Sequence, residues 1–129
     1  MFEKLEIFRM AHAMATHAGA RQSVVAQNMA NADTPGYAAR DVRPFKDIVE
    51  SGDAGFAPRA TRPGHLNRTT APFDIEISER RDAEADPNGN SVSLESEMMT
   101  AVEVKRQHDR ALAIYKSSLT VLRSAIGRR

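Results

Sequence analysis

All six prolines of this chain, at positions 35, 44, 58, 63, 72 and 87, and five of its seven glycines fall between residues 33 and 92. The flanking arms contain no proline. Proline removes a backbone donor and clashes with the preceding helical turn, so helix interiors exclude it. Breakers confined to the middle therefore predict a mainly α chain with two long helices, one within residues 1–32 and one within 93–129, forming a coiled-coil-like pair. Residues 33–92 read as an irregular, partly disordered linker with at most short helix or strand pieces, and the whole as a single structural unit.

The arms carry matching periodicity. Phe8, Ala11, Ala15, Ala18, Gln22, Val25, Met29 and Ala32 recur in alternating steps of three and four, the heptad spacing of a helix that meets another along a seam. Leu5, Ile7 and Met14 widen that face. Leu94, Met98, Ala101, Lys105, His108, Leu112, Tyr115, Leu119, Leu122 and Ile126 continue the pattern at the other end, with only Lys105 and His108 strongly polar among them. The apolar members of both rows are the expected assembly seam; pairing within one molecule and pairing between molecules are equally compatible with the spacing. The second helix has a readable start: Asn88 and Gly89 make a turn, Ser93 is placed to cap, and Glu95 and Glu97 suit the positive end of the helix dipole. Gly127 supplies a stop.

Composition explains why such seams need partners. Leu, Ile, Val and Phe together number 25 of 129 residues, against 20 Ala, and the formal charge is +1. That is a thin core without the high charge of a disordered chain, so burial is expected to be completed against other molecules. There is no cysteine, hence no disulfide framework and no thiolate metal site. The opening "MFEKLEIFRMAHAMATHAGARQ" has acidic residues at 3 and 6 and no uninterrupted apolar run, so a cleaved secretion signal is not expected. No run of eighteen apolar residues exists either, and no membrane-spanning helix is expected.

Within the linker, "RPFKDIVESG" can make one short helix, and "FDIEIS" alternates as a half-buried strand would, with Phe73, Ile75 and Ile77 on one side. A connection this long with so little apolar material is expected to order in an assembly.

Catalytic chemistry has no foothold. His12 and His17 are five apart, off the i, i+4 spacing of zinc-binding helices; His108 sits on a seam, and His65 lies in a loop without an acid nearby. No nucleophile elbow or phosphate-binding glycine loop occurs, so neither an enzyme, a cofactor, a metal nor a small-molecule substrate is expected. From residue 105 onward seven bases face one acid, Asp109. They spread over several helix faces and favour the C-terminal end of the dipole, so a solvated or partner-facing surface is expected and no nucleic acid.

One segment, "NMANADTPGYAARD" at residues 28–41, stops the first helix abruptly. Thr34 before Pro35 is pushed to extended geometry, Pro35 and Gly36 fit the centre of a type II turn, and Asn31 and Asp33 can satisfy loose backbone groups. A helix stop accounts for the residues up to Gly36. It leaves Tyr37, whose ring and hydroxyl suit an interface, and the charged residues beyond it.

This segment, with Asn28, Ala30, Asn31, Thr34, Pro35, Gly36 and Tyr37, closely resembles the motif that follows the first helix in the bacterial flagellar rod proteins, in the form found in the short proximal-rod members. "ATRPGHL" (60–66) and "PNGNSVSLESE" (87–97) are similar to that family's mid-chain element and to its entry into the last helix, although Ser93 stands where the family more often has Asp. The resemblance implies a structural protein, exported without a cleaved signal through the flagellar type III apparatus, that polymerises in the periplasm into the proximal rod of the basal body. It also implies the neighbours: further copies of itself, FlgC, FlgF and FliE. A cytosolic helical-hairpin adaptor or export chaperone would show equally long seams and is the alternative reading.

Overall fold

A computed structural model describes residues 2–50, 75–80 and 84–127. The order is α1 (Phe2–Ala30), β1 (Arg40–Val42), α2 (Phe45–Glu50), β2 (Ile77–Glu79) and α3 (Leu94–Ile126). Phe73, His65 and the segment 60–66 lie outside the described residues. The two long helices have 29 and 33 residues, which makes them about 44 and about 50 Å long. They run antiparallel: Asn28 in the last turn of α1 meets Glu97 in the first turn of α3, and Phe8 lies edge-on to Tyr115 with ring centroids 5.2 Å apart.

The face between the helices is built from small residues. Ala11, Ala18 and Val25 of α1 are buried, and so are Val104 and Ala111 of α3; short side chains let two helix backbones approach closely. On α1 this row coincides with the seam expected from the sequence, with Phe8, Ala15 and Met29 half-buried beside it. On α3 the interior row is Glu97, Val104 and Ala111, one position ahead of Met98, Lys105 and Leu112. Ala101, His108, Leu119 and Leu122 are half-buried at its border, while Leu94, Met98, Leu112, Tyr115 and Ile126 remain exposed. Adjacent heptad rows share one period, so spacing alone does not separate the row that faces α1 from the row beside it.

A second flank of α1 carries the start of the linker. Ala13, His17 and Val24 are buried there, as are Ala39, Val42 and Ile48. The His17 Nε2 lies 2.7 Å from the Arg43 carbonyl oxygen, and its ring is tilted against Phe45 at 5.5 Å. The segment expected to form a short helix is α2, with Ile48 as its buried residue. The expected half-buried strand over 73–78 is shifted: β2 starts at Ile77, leaves Ile75 outside and is exposed along its whole length, because only β1 pairs with it and nothing among the described residues covers its face. It pairs antiparallel with β1 in the register Arg40 to Glu79, Asp41 to Ser78 and Val42 to Ile77. The ribbon extends through Arg43 N–H to the Glu76 carbonyl and Arg80 N–H to the Ala39 carbonyl, at 3.3 and 2.8 Å. α3 begins and ends at the expected residues: the Ser93 side chain accepts from the Ser96 N–H, and the Gly127 N–H returns to the Arg123 carbonyl. Among the described residues no helix is long and apolar enough to cross a membrane.

Candidate functional site

The junction between the helices is where the sequence motifs converge. At the end of α1 the chain enters a tight turn in which the Tyr37 N–H donates to the Thr34 carbonyl at 3.3 Å, with Pro35 and Gly36 at its centre and Gly36 at φ 72°. A positive φ at the third residue is the mark of a type II turn. A second turn, with Gly89 at φ 79°, backs onto the first: the Gly36 N–H donates to the Asn88 carbonyl at 3.1 Å, and a Cβ added to Gly89 would lie 3.4 Å from the Gly36 Cα. The Ser91 N–H then reaches the Tyr37 carbonyl at 3.1 Å.

Two buried asparagines and a buried glutamate lock these turns to the helices. The Asn90 Nδ2 donates to the carbonyls of Asn31, Ala32 and Thr34 at 2.8–2.9 Å, while its Oδ1 accepts from the Val92 N–H. It thereby fixes the turn that follows α1, satisfying carbonyls just past the helix end that have no helical donors. Asn28, with no exposed surface, accepts from the Arg40 N–H and the Tyr37 hydroxyl and donates to the Arg40 carbonyl and to Glu97 Oε2 at 3.2 Å. All four of its bonds lie within the protein. Glu97 is equally buried. Its Oε1 makes no well-directed hydrogen bond among the described residues and is held by the charge of Arg80, whose Nη2 is 3.1 Å away.

From Arg80 the charges alternate outward. The Arg80 Nη2 is 3.6 Å from Asp41 Oδ2, and Arg21 grips Asp41 with two bonds, Nε to Oδ1 at 2.9 Å and Nη2 to Oδ2 at 3.1 Å. Such a two-point fork is the strong form of carboxylate recognition. Partial burial pushes the Asp41 carboxyl up, but the Arg21 bonds, the Val42 N–H and the charges of Arg21 and Arg80 outweigh it, so its pKa lies below the usual carboxylate value. The Arg21 guanidinium is held above its ordinary value, chiefly by the bond to Asp41. One residue each from α1, β1 and α3, together with Arg80 just beyond β2, is joined in a balanced group of two cations and two anions.

Of the turn motif, Asn28 is buried, Asn31 and Tyr37 are half-buried, and Ala30, Thr34, Pro35 and Gly36 are exposed. The motif is therefore a joint, and the outer side of its turn faces solvent. The sequence assigns Glu97 only to the helix dipole and leaves Asp41 among the unexplained charges beyond Tyr37, and it does not single out Arg21, Arg80 or Asn90. A second hint was that "PNGNSVSLESE" stood out as a motif containing both Asn90 and Glu97. The site offers directional bonds and no reactive constellation; among the described residues no group of His, Asp or Glu is arranged to hold a metal.

Residues 13–37, which contain the end of α1 and the turn, match the family of flagella basal body rod proteins. The flagellar basal body rod protein FlgB of Agrobacterium fabrum is 33% identical over 118 residues, covering 89% of this chain and 88% of the relative. This chain belongs to the FlgB family. FlgB of Yersinia enterocolitica is 32% identical, covering 79% of this chain and 74% of its own length, and FlgB of Escherichia coli is 31% identical, covering 81% and 83%. The FlgB family is a family of structural flagellar rod proteins, which favours a rod component of the basal body over a hairpin adaptor.

Proposed function

We propose that this FlgB-family chain builds the proximal rod of the bacterial flagellar basal body and helps transmit torque from the motor to the hook and filament. The observation that supports this reading is the apolar ridge that α3 leaves uncovered. Leu94, Met98, Leu112, Tyr115 and Ile126 stay exposed on a helix whose interior row is filled by Val104, Ala111 and Glu97. A solvent-exposed row at heptad spacing suits further helices laid against it. The occupants in this reading are copies of the chain itself, FlgC, FlgF and FliE, met in the periplasm after export without a cleaved signal through the flagellar type III apparatus. The turn at residues 33–41 does not carry the chain outward, as a link to neighbours would: it folds the chain back along α1, where Asp41 meets Arg21 and the Arg43 carbonyl meets His17.

The test is incorporation. Met98→Asp and Leu112→Asp are expected to keep the helical circular dichroism of the purified chain while the protein disappears from purified basal bodies and swimming is lost, because a charge cannot be buried unpaired between helices. Normal swimming with normal incorporation would remove the ridge from the reading. Recovery of the native chain wholly in the soluble fraction, away from basal bodies, would favour the adaptor.

A further inference from the structure

We propose that the polar set at the junction end, Asn28, Asn90 and Glu97, selects the register in which α3 lies along α1, a choice that the apolar residues between the helices do not make. The interior rows repeat every seven residues: Ala11, Ala18 and Val25 on one side, Glu97, Val104 and Ala111 on the other. Sliding α3 by one heptad, roughly 10 Å along the axis, puts Val104 where Glu97 lies, Ala111 where Val104 lies and Ser118 where Ala111 lies, so beyond the junction small residues are still replaced by small residues. At the far end it exchanges Tyr115 for Leu122 opposite Phe8. Nothing in those contacts penalises the slide strongly, and the long connection between Ala30 and Leu94 is no short tether.

The junction end behaves differently. In the slid arrangement Asn28 would face Val104 in place of Glu97. The Asn90 amide would leave the carbonyls of Asn31, Ala32 and Thr34, three acceptors it now reaches within 2.9 Å. Glu97, the largest fully buried side chain among the described residues, would lose its bond to Asn28. Polar groups buried inside a helical pair tolerate one alignment, which is how a single interior asparagine sets register in coiled coils.

The chain has no cysteine, so introduced pairs report without background. Phe8→Cys combined with Tyr115→Cys marks the native register, and Phe8→Cys combined with Leu122→Cys marks the slid one. Both are read with a short bis-maleimide on dilute, purified full-length protein. In the otherwise native chain the first pair is expected to cross-link at least about tenfold more than the second. With Asn28→Leu, Asn90→Ala and Glu97→Leu together, the preference is expected to fall to about threefold or less while the helical signal persists. Val25→Ala with Val104→Ala, which thins the interior without touching the polar set, should lower the unfolding midpoint and keep the tenfold preference. The proposal is overturned by a triple variant that retains the preference, by one that loses its helical signal, or by an apolar control that also slides.

Discussion

At one end of the helical hairpin, Asn28, Asn90 and Glu97 close the junction with bonds of 2.7–3.2 Å, and Arg80, Asp41 and Arg21 extend the closure across the ribbon to α1. At the other end, Ile7, Met10, Ile114, Val121 and Ile126 are exposed, and Ile7, Met10, Met14 and Ile114 line an open apolar cleft between the helices. The junction end satisfies itself within one chain. The far end leaves its apolar surface uncovered among the described residues. Directional bonds fix geometry at modest net gain, whereas apolar burial is strong and indifferent to direction. A subunit that must present a fixed shape and then associate is well served by placing the first kind of interaction at its joint and the second along its free length.

Glu97→Ala is the most direct way to break this contrast. It removes the acceptor of Asn28 and the counter-charge of Arg80 and leaves a space at a site with no exposure. A loss of about 3 kcal/mol is expected, read from the urea midpoint, against well under half of that for Ile114→Ala at the far end. A comparable loss at both sites would mean that the junction is no more self-contained than the free end. Gly36→Val ranks next. Gly36 sits at φ 72° with open space around a prospective Cβ, so the penalty is conformational rather than steric contact. For a β-branched residue about 2 kcal/mol is expected. Helix content should change little, because the turn and not the arms is strained.

The acid branch of stability sharpens the comparison further. Asp41 has a folded pKa below its unfolded value, about 3.9. Its contribution is therefore fully present above the unfolded value and is lost as pH falls through the folded one. Acidification below about pH 4 should loosen the junction ribbon first, seen as faster amide hydrogen exchange at Arg40–Val42 than in the middle of α1. Asp41→Asn should flatten that dependence. If the native chain and Asp41→Asn respond alike, the pairing with Arg21 and Arg80 is not what ties the ribbon down.

The molecule was legible where neighbours in sequence are the cause. Ser93 and Gly127 announce the ends of α3 and Pro35–Gly36 announces the turn, since capping and φ preference act over a few residues, whereas the alternation at Ile75 and Ile77 pointed to a half-buried strand and β2 is a short exposed one that begins at Ile77. Glu97 was visible as a first-turn acid, and that reading is true of its backbone position. Its burial was hidden because the cause, Asn28, is 69 residues away. Asn90 likewise reads as a turn residue until α1 ends beside it. On α3, the row of larger apolar residues at Met98 and Leu112 drew the eye, while the face that meets α1 takes Val104 and Ala111. Hydrophobicity marks a residue as unfit for water without saying which surface will cover it.

The smallest effect on the isolated chain is expected on that outer row, and it distinguishes the two faces of one helix. Met98 is 55% exposed and Val104 is 1% exposed, although they lie less than two turns apart on α3. Met98→Asp adds a charge that water can solvate in the monomer, so its unfolding free energy should stay within about 0.5 kcal/mol of the native value. Val104→Asp forces the same charge into the buried face between the helices, and a loss above about 3 kcal/mol is expected. Both should impair incorporation into basal bodies, the second because the hairpin opens and the first because a correctly folded subunit presents a charge where another helix must lie. Equal destabilisation of the isolated chain by the two would mean that the row containing Met98 already has a cover within the molecule, and that α3 has no face reserved for a neighbour.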